Sequence, residues 1–260
     1  MRIMMFCTVR HGAISAMKYM LESGIDVVGC VFEEERPNEL SELCQASGIP
    51  MYTDREMYEA LDSGILPQFD MGISYLYHRI LKESIIQAAP NGIINFHPAP
   101  VSVHKGVAAC CYCLLNNFKE WAVTAHYVSP GIDEGDVIEE RWFPMMEKIG
   151  WGGVITALSA EKYIQQQSLR LFQDVIDSLK NGRPLPRTCQ DRTKGVYFSK
   201  KDLDKIKNVS NVDDTDEIDR RIKALWMPPY HGAYVIINGK KYTLVNDEML
   251  KELAALYNET

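Results

Sequence analysis

Short apolar runs alternate with segments of helical periodicity along the first hundred residues, and this alternation restricts the chain to one class of fold. Residues 2–7 have the composition of a buried strand, residues 12–23 that of a helix, and residues 25–33 that of a second strand. Elements of these lengths predict a parallel pair of strands joined by a crossover helix. The alternation continues to residue 97. We therefore expect an α/β fold with a mainly parallel, twisted, Rossmann-like sheet between flanking helices.

The later part of the chain continues this pattern and then changes character. A long periodic helix is predicted to end at Asn181-Gly182, since a glycine there is a common helix terminator. We expect a first domain over 1–182, a polar linker over 183–212 and a small C-terminal α+β unit over 213–260, with a helix over 213–224 and a hairpin turning at Asn238-Gly239. The remaining predicted elements are helices over 39–48, 81–88 and 154–180 and strands over 49–52, 69–76, 92–96, 123–128 and 137–143.

Composition excludes some classes of protein. The chain is 46% hydrophobic and 24% charged, which is typical of a globular protein. Its net charge of −7 argues against a protein whose main task is to bind nucleic acid, although a local basic patch remains compatible with it. No apolar stretch reaches the roughly 20 residues of a membrane span, so we expect no membrane partner. Seven cysteines without a recognisable targeting segment predict reduced thiols and a cytoplasmic location.

Two polar residues at the end of a predicted strand are the best candidates for chemistry. Asn95 and His97 are two positions apart, so their side chains point to the same side of the strand that ends at His97-Pro98. Ligands of open α/β sheets bind at the carboxyl ends of the strands. Asp133 follows 38 residues after Asn95, in the loop Gly131-Ile-Asp-Glu-Gly135. Together these residues could polarise a carbonyl, move a proton and orient the imidazole. A lone histidine at such a place is more often structural, so the combination carries the hypothesis.

With this motif and spacing, the chain resembles the N10-formyltetrahydrofolate-dependent formyltransferases. That family includes methionyl-tRNA formyltransferase, glycinamide ribonucleotide formyltransferase and the sugar N-formyltransferases. The resemblance implies a catalytic triad of Asn95, His97 and Asp133, with N10-formyltetrahydrofolate as the formyl donor and no metal ion. Whether His97 takes the amine's proton or donates to the oxyanion is left open by the sequence.

The resemblance extends over most of the chain and suggests further site residues. Residues 74–81 look like the family segment that holds the pteridine, and the loop over 129–133 would complete the folate site through backbone groups. Residues 190–191 and 222–233 look like the family's linker and C-terminal segment. The implied folate-binding residues are Arg79, Ile80, Leu81, Ser129, Gly131 and Ile132.

Four residues are candidates for contacts with the acceptor substrate. Lys105-Gly106 resembles the basic-glycine step that follows the histidine loop, but Lys105 could equally be a solvated loop charge. Arg10 and His11, between the first strand and the first helix, could bind an anion at the helix N-terminus. His126 lies within a strand and is expected to be structural, packed beside the strand of Asn95.

Departures from the family pattern bear on the acceptor. The loop Pro98-Ala-Pro-Val-Ser102 looks closer to sugar-type members, residues 7–12 lack the glycine-rich phosphate loop of the purine type, and the tail is shorter than the β-barrel of the tRNA type. These features favour a nucleotide-linked amino sugar as substrate. One helix and one hairpin bury little by themselves, and the resemblance to sugar-type members implies pairing through this region, so we expect a homodimer with the tail at its interface. The alternatives are a methionyl-tRNA formyltransferase and a non-catalytic folate-fold binding protein, which need not retain the whole triad.

Overall fold

The structure is a computed structural model, and it describes residues 1–145 and 155–257. The strands are β1 (Arg2–Cys7), β2 (Asp26–Val31), β3 (Met51–Tyr52), β4 (Met71–Tyr75), β5 (Ile93–His97), β6 (His104–Gly106), β7 (Glu120–Tyr127), β8 (Val137–Pro144), β9 (Val196–Phe198), β10 (Tyr234–Ile237) and β11 (Lys240–Thr243). The helices are α1 (His11–Glu22), α2 (Glu39–Ala46), α3 (Asp54–Asp62), α4 (Glu83–Gln87), α5 (Ala109–Leu115), α6 (Ala157–Lys180), α7 (Lys200–Lys207), α8 (Thr215–Ala224) and α9 (Asp247–Tyr257).

Seven strands form one sheet in the order β3-β2-β1-β4-β5-β7-β8. The pairs β1–β2, β1–β4, β2–β3 and β4–β5 are parallel, whereas β5 and β7 are antiparallel. The α/β fold with a mainly parallel, Rossmann-like sheet and flanking helices is thereby confirmed. β1 lies at the centre of the parallel part, and its residues 3–6 are wholly buried. Burial on both faces explains why this strand has a continuous apolar sequence rather than an alternating one.

The chain divides into two compact units whose segments interleave along the sequence. The first unit comprises Met1–His97, Val123–Arg141 and Gln166–Thr193. The second comprises Pro98–Ala122, Trp142–Gln165 and Lys194–Thr260. The domain bounds expected at residues 182 and 212 stay a prediction.

The first unit holds most of the sheet, and helix starts within it are set by side-chain caps. Asn38 caps α2 by accepting a hydrogen bond from the backbone of Ser41, and Thr53 caps α3 by accepting one from the backbone of Glu56. In both cases the side chain of the third helical residue accepts a hydrogen bond from the backbone N–H of the cap residue, so two otherwise unpaired donors are satisfied. On one face of the sheet Phe172 of α6 packs edge-on against Tyr75 and Phe96.

The second unit is built around its own apolar cluster. β10 and β11 form an antiparallel hairpin that turns at Asn238 and Gly239, both with positive φ. β6 and β9 form a short parallel pair. The buried cluster comprises Val209, Ile222, Leu225, Trp226, Ala233 and Met249. Trp226 is therefore a core residue of this unit.

Several elements were absent from the prediction. Residues 183–212, expected as a linker, contain β9 and α7. β9 has only three residues, too few to show a period, and most residues of α7 are charged. α3 and α9 were not predicted either, although α3 carries the capping box of Thr53 and Glu56. Residue 154 of the predicted long helix and residues 258–260 of the predicted C-terminal unit lie outside the described residues. Among the helices of the described residues, none is both long and apolar enough to cross a membrane.

Candidate active site

Asn95 and His97 lie on β5, between a parallel and an antiparallel neighbour. Ser74 of β4 is the register partner of Asn95 on one side, and His126 of β7 is its partner on the other. Phe96, between the two candidates, points to the opposite face and packs on Phe172 at a centroid distance of 5.1 Å. The alternation of the strand thus sends Asn95 and His97 to one face, as their spacing predicted.

A chain of hydrogen bonds runs across the three strands and fixes the Asn95 amide. The Ser74 hydroxyl donates to Oδ1 of Asn95 at 2.8 Å, and Nδ2 of Asn95 lies 3.1 Å from Nε2 of His126. Nδ1 of His126 lies 2.9 Å from the backbone oxygen of Tyr127. A carbonyl can only accept, so Nδ1 of His126 carries the hydrogen and, in the neutral ring, Nε2 accepts from Asn95. The amide has one N–H left for a ligand, since no other described residue engages it.

Asp133 brings its carboxylate between the two imidazoles. Oδ2 of Asp133 lies 3.6 Å from Nδ1 of His97, and Oδ1 lies 3.5 Å from Nε2 of His126. All three side chains are nearly inaccessible to solvent, with exposed fractions of 6%, 3% and 11% for His97, His126 and Asp133. At such burial a charge is weakly screened, so this carboxylate favours the tautomer of His97 that carries its hydrogen on Nδ1.

The backbone of the loop that carries Asp133 is tightly constrained. Asp133 itself has φ of 53°, a left-handed conformation that Asp and Asn tolerate better than other residues with a Cβ. The backbone N–H of Tyr127 donates to the oxygen of Asp136 at 2.9 Å and closes the loop. A Cβ at Gly135 would collide with the backbone oxygen of Tyr127. The glycine at position 135 is therefore a steric requirement of the turn.

The predicted folate segment, residues 79–81, follows β4, and the two residues directly after β4 are held by contacts with neighbouring elements. Thr8 donates to the backbone oxygen of Leu76 at 2.7 Å, and Tyr77 donates to Asp54 at 2.7 Å. Burial and the adjacent Asp54 raise the pKa of Tyr77 above its usual value, so the phenol remains a donor. Arg79 pairs with Glu33 at 3.3 Å.

The remaining predicted folate residues differ in exposure. The Ile80 side chain is 70% exposed, whereas Leu81 is buried. In the loop after β7, Ser129 donates to the backbone oxygen of Gly131 at 3.3 Å, and Ile132 is 39% exposed.

The candidates for substrate contacts are distributed over both units. Arg10 is the N-cap of α1 and His11 its first residue; both are exposed, and no acidic residue lies in the first turn of that helix. Lys105 and Gly106 lie on β6 in the second unit. Lys105 is 4% exposed, so the expectation of a solvated loop charge is wrong. Gly106 has φ of 94°, which a residue with a Cβ rarely adopts.

Two residues of the cluster, Ser74 and His126, were not assigned to the site from the sequence. His126 was expected to be structural, and the structure places it in contact with both Asn95 and Asp133. A signal was present: each is a polar residue inside a mainly apolar strand. Within residues 1–145 and 155–257, no three His, Cys, Asp or Glu side chains are grouped so that they could hold a metal ion.

Comparison with known proteins gives one consistent family. A family model described as "Formyl transferase" matches residues 13–149. The methionyl-tRNA formyltransferase of Syntrophomonas wolfei subsp. wolfei is 25% identical over 264 residues, which cover 97% of this chain and 81% of that protein.

Solved structures are similar in fold. The 4-N formyltransferase from Francisella tularensis has a TM-score of 0.74 at 19% identity, with 94% of this chain and 96% of that one covered. The N-formyltransferase from Helicobacter canadensis, in complex with folinic acid and dTDP-3-aminofucose, has a TM-score of 0.70 at 23% identity, with 95% and 89% covered. Because the family model spans more than half of its length, the chain belongs to the formyl transferase family of enzymes.

Proposed function

We propose that this enzyme transfers a formyl group from N10-formyltetrahydrofolate to the amine of a nucleotide-linked amino sugar. The observation that carries the proposal is the buried cluster of Asn95, His97 and Asp133 at the carboxyl end of β5. Two solved relatives support the substrate classes: one is bound to folinic acid and dTDP-3-aminofucose, and the other, a sugar 3N-formyl transferase, was obtained with dTDP and 5-N-formyl-THF.

In the proposed reaction, the neutral amine attacks the formyl carbon and a tetrahedral intermediate forms. The unengaged N–H of Asn95 donates to the developing oxyanion, an interaction worth about 3–4 kcal/mol per donor in other acyl-transfer enzymes. Asp133 faces Nδ1 of His97, which keeps the hydrogen there and leaves Nε2 with the lone pair. Nε2 takes the proton of the attacking amine and passes it to N10 as the C–N10 bond breaks. The products are the formamide and tetrahydrofolate.

Folate binding is proposed for residues 79–81 and the loop containing Ser129, Gly131 and Ile132, mainly through backbone groups. The segment after β4 is held by Thr8 and Tyr77, so its backbone is ordered before any ligand arrives. A preordered site loses less conformational entropy on binding. Lys105, Gly106, Arg10 and His11 remain our candidates for the nucleotide part of the acceptor. Lys105 is only 4% exposed, which argues against a solvated charge and leaves the phosphate contact as its proposed role.

The second candidate acceptor is charged initiator tRNA, favoured by the Syntrophomonas wolfei relative. A tRNA-binding tail needs unneutralised basic residues. In the described tail, however, several cations are already paired: Lys205 with Asp202 at 3.0 Å and Lys207 with Asp204 at 2.8 Å. The remaining pairs are Arg220 and Arg221 with Glu217, and Lys223 with Glu248. This pairing favours the sugar acceptor.

The test is a formyl-transfer assay with purified protein and N10-formyltetrahydrofolate. The acceptors are a panel of nucleotide-linked amino sugars and, in parallel, methionyl initiator tRNA. The proposal predicts turnover with at least one amino sugar and none with the tRNA. Turnover with tRNA alone would establish the second candidate. Folate binding without transfer to any amino sugar of the panel would contradict the proposed acceptor class.

We also propose that the chain forms a homodimer through its hairpin. Ile236, Ile237 and Tyr242 are each about half exposed on β10 and β11, with Ile237 and Tyr242 on one face of the hairpin and Ile236 on the other. Exposed large apolar side chains on one short hairpin are typical of a contact surface. Light scattering should give the mass of a dimer for the wild type and of a monomer for Ile236→Lys. The control is Ile65→Lys, at an exposed site of the first unit, which should remain dimeric. A monomeric wild type at micromolar concentration would refute the dimer.

A further inference from the structure

A short segment of the first unit, residues 187–190, lies along the loop that carries Asp133; we call it the strap. Thr188 and Val137 exchange two backbone hydrogen bonds, at 2.8 and 2.9 Å, in an antiparallel bridge. The guanidinium of Arg187 lies over the ring of Tyr127, 3.5 Å from its centroid. These contacts join the strap to Tyr127, the residue before the loop, and to Val137, the first residue after it.

The closest contact of the strap with the loop is made by the side chain of Gln190. Its Nε2 donates to the backbone oxygen of Asp133 at 3.1 Å and to that of Gly135 at 2.6 Å. Both hydrogens of one NH2 group therefore go to two carbonyls of the same turn. The amide fixes the separation of these carbonyls and with it the orientation of the intervening peptide groups.

The Asp133 turn requires such support. Its residues belong to no helix or strand, and Asp133 has the left-handed φ of 53°. For a residue with a Cβ this conformation costs about 1–2 kcal/mol unless the surroundings stabilise it. A small rotation about the Asp133 backbone would move the carboxylate away from both imidazoles, which it now approaches at 3.5 and 3.6 Å.

We infer that Gln190 is a positioning residue, which acts on the reaction by holding the carboxylate of Asp133 between His97 and His126. The inference rests on the proposed role of Asp133 in formyl transfer. Gln190 lies 57 positions after Asp133 in the sequence. It acts on the active site without contacting either substrate. Displacement of a catalytic group by about 1 Å can cost about a hundredfold in rate.

The contacts of the strap allow positioning to be separated from simple stabilisation. The bridge of Thr188 uses backbone atoms and the stacking of Arg187 uses another side chain, so both persist when the amide of Gln190 is removed. Gln190 is half-buried, and water can therefore reach the two carbonyls that lose their donor. Gln190→Leu keeps the side chain's size and should leave the fold intact.

The first test is steady-state kinetics of Gln190→Leu. We expect kcat to fall by about tenfold to a hundredfold while KM for the folate and for the acceptor changes by less than about twofold. The matched control is Gln87→Leu, because Gln87 is exposed on α4 and bonds only to Glu83 of the same helix among the described residues. A kcat for Gln190→Leu equal to that of the control would overturn the inference. So would a loss that appears in KM alone.

A double-mutant cycle tests whether Gln190 acts through Asp133. In an Asp133→Asn background, Gln190→Leu should have no further effect on kcat, because the carboxylate that it positions is gone. An additional loss of the same factor as in the wild type would show that Gln190 acts by another route and would overturn the inference.

A readout independent of turnover separates this inference from the proposed function. The imidazole ¹⁵N resonances of His97 report the carboxylate next to Nδ1. In Gln190→Leu they should move in the same direction as in Asp133→Asn, and in Gln87→Leu they should not move. Unmoved resonances in Gln190→Leu overturn the positioning role even if the proposed function holds. Wild-type turnover by Asp133→Asn, in contrast, overturns the function of Asp133 and with it any catalytic effect of Gln190.

Discussion

The side-chain amide of Asn95 is oriented by His126, whose Nε2 lies 3.1 Å from Nδ2 of Asn95. The backbone oxygen of Tyr127 fixes which nitrogen of His126 carries the hydrogen, and Ser74 holds the other end of the amide. The donor proposed for the oxyanion is therefore directed by groups that need not touch the substrate. In the proposed mechanism this prearrangement is what gives Asn95 its effect, since a donor already in place costs no reorganisation in the transition state.

Replacement of His126 should leave the Asn95 amide without the group that orients it. His126→Leu removes the acceptor of the Asn95 amide, and we expect kcat to fall by about tenfold to a hundredfold, short of the loss of the donor itself. His126→Gln is the matched variant, since its side-chain oxygen can still accept from Asn95. It should retain more activity than His126→Leu. Equal rates in the two variants would mean that the acceptor on His126 does not matter.

The proposed folate segment gives a prediction about affinity. Arg79 points to Glu33 and is half exposed, so Arg79→Ala should weaken folate binding only slightly. Ile80→Pro removes a backbone N–H from the segment and should weaken binding about tenfold or more. Equilibrium titration with a fluorescent folate would measure both affinities. Negligible effects from both substitutions would place the folate elsewhere.

The two glycines of the Asp133 loop should differ in their tolerance of a methyl group. At Gly135 a Cβ meets the backbone oxygen of Tyr127, whereas at Gly131 it meets the side chain of Glu134, which can move. Gly135→Ala should lower the free energy of unfolding by about 1–3 kcal/mol, and Gly131→Ala should lower it by less than about 1 kcal/mol. Denaturant unfolding measures both. Similar losses in the two variants would contradict this reading of the loop.

Thiol reactivity should single out one cysteine. Cys189 is exposed, while Cys7, Cys30, Cys44, Cys110, Cys111 and Cys113 are buried. Burial raises the pKa of Cys113 to about 12, so very little of the reactive thiolate exists there near pH 8. Alkylation of the native protein at pH 8, followed by mass spectrometry, should modify Cys189 rapidly, and Cys189→Ala should remove the rapid phase. Rapid labelling of Cys113 would contradict the packing of α5.

The features that could be predicted from the sequence are those that depend on residues close together in the chain. Strand β1 is a continuous apolar run, the hairpin turns at Asn-Gly, and Asn95 and His97 share a face because they are two positions apart on a strand. Each of these features depends on a few consecutive residues. The fold class and the candidate triad could therefore be predicted without coordinates.

Contacts that depend on which strands are neighbours in the sheet, or on segments far apart in the sequence, could not be predicted in this way. Ser74 and His126 come next to Asn95 only because β4 and β7 are the neighbours of β5, in one particular register. Gln190 reaches the Asp133 turn from a segment 57 residues later. Neither the strand order nor the path of the strap follows from a local pattern, so these residues were found only in the structure.

The measurement that tests the account most directly is the rate of formyl transfer by His97→Ala and Asp133→Asn. We expect kcat of each variant to fall by at least about a hundredfold. His97→Ala removes the group that carries the proton from the amine to N10, and Asp133→Asn removes the carboxylate that orients it. The matched control is His231→Ala, at an exposed histidine of the second unit, which should retain wild-type turnover. Circular dichroism would establish that all three variants are folded. Near-wild-type rates in folded His97→Ala or Asp133→Asn would contradict the assignment of the catalytic cluster.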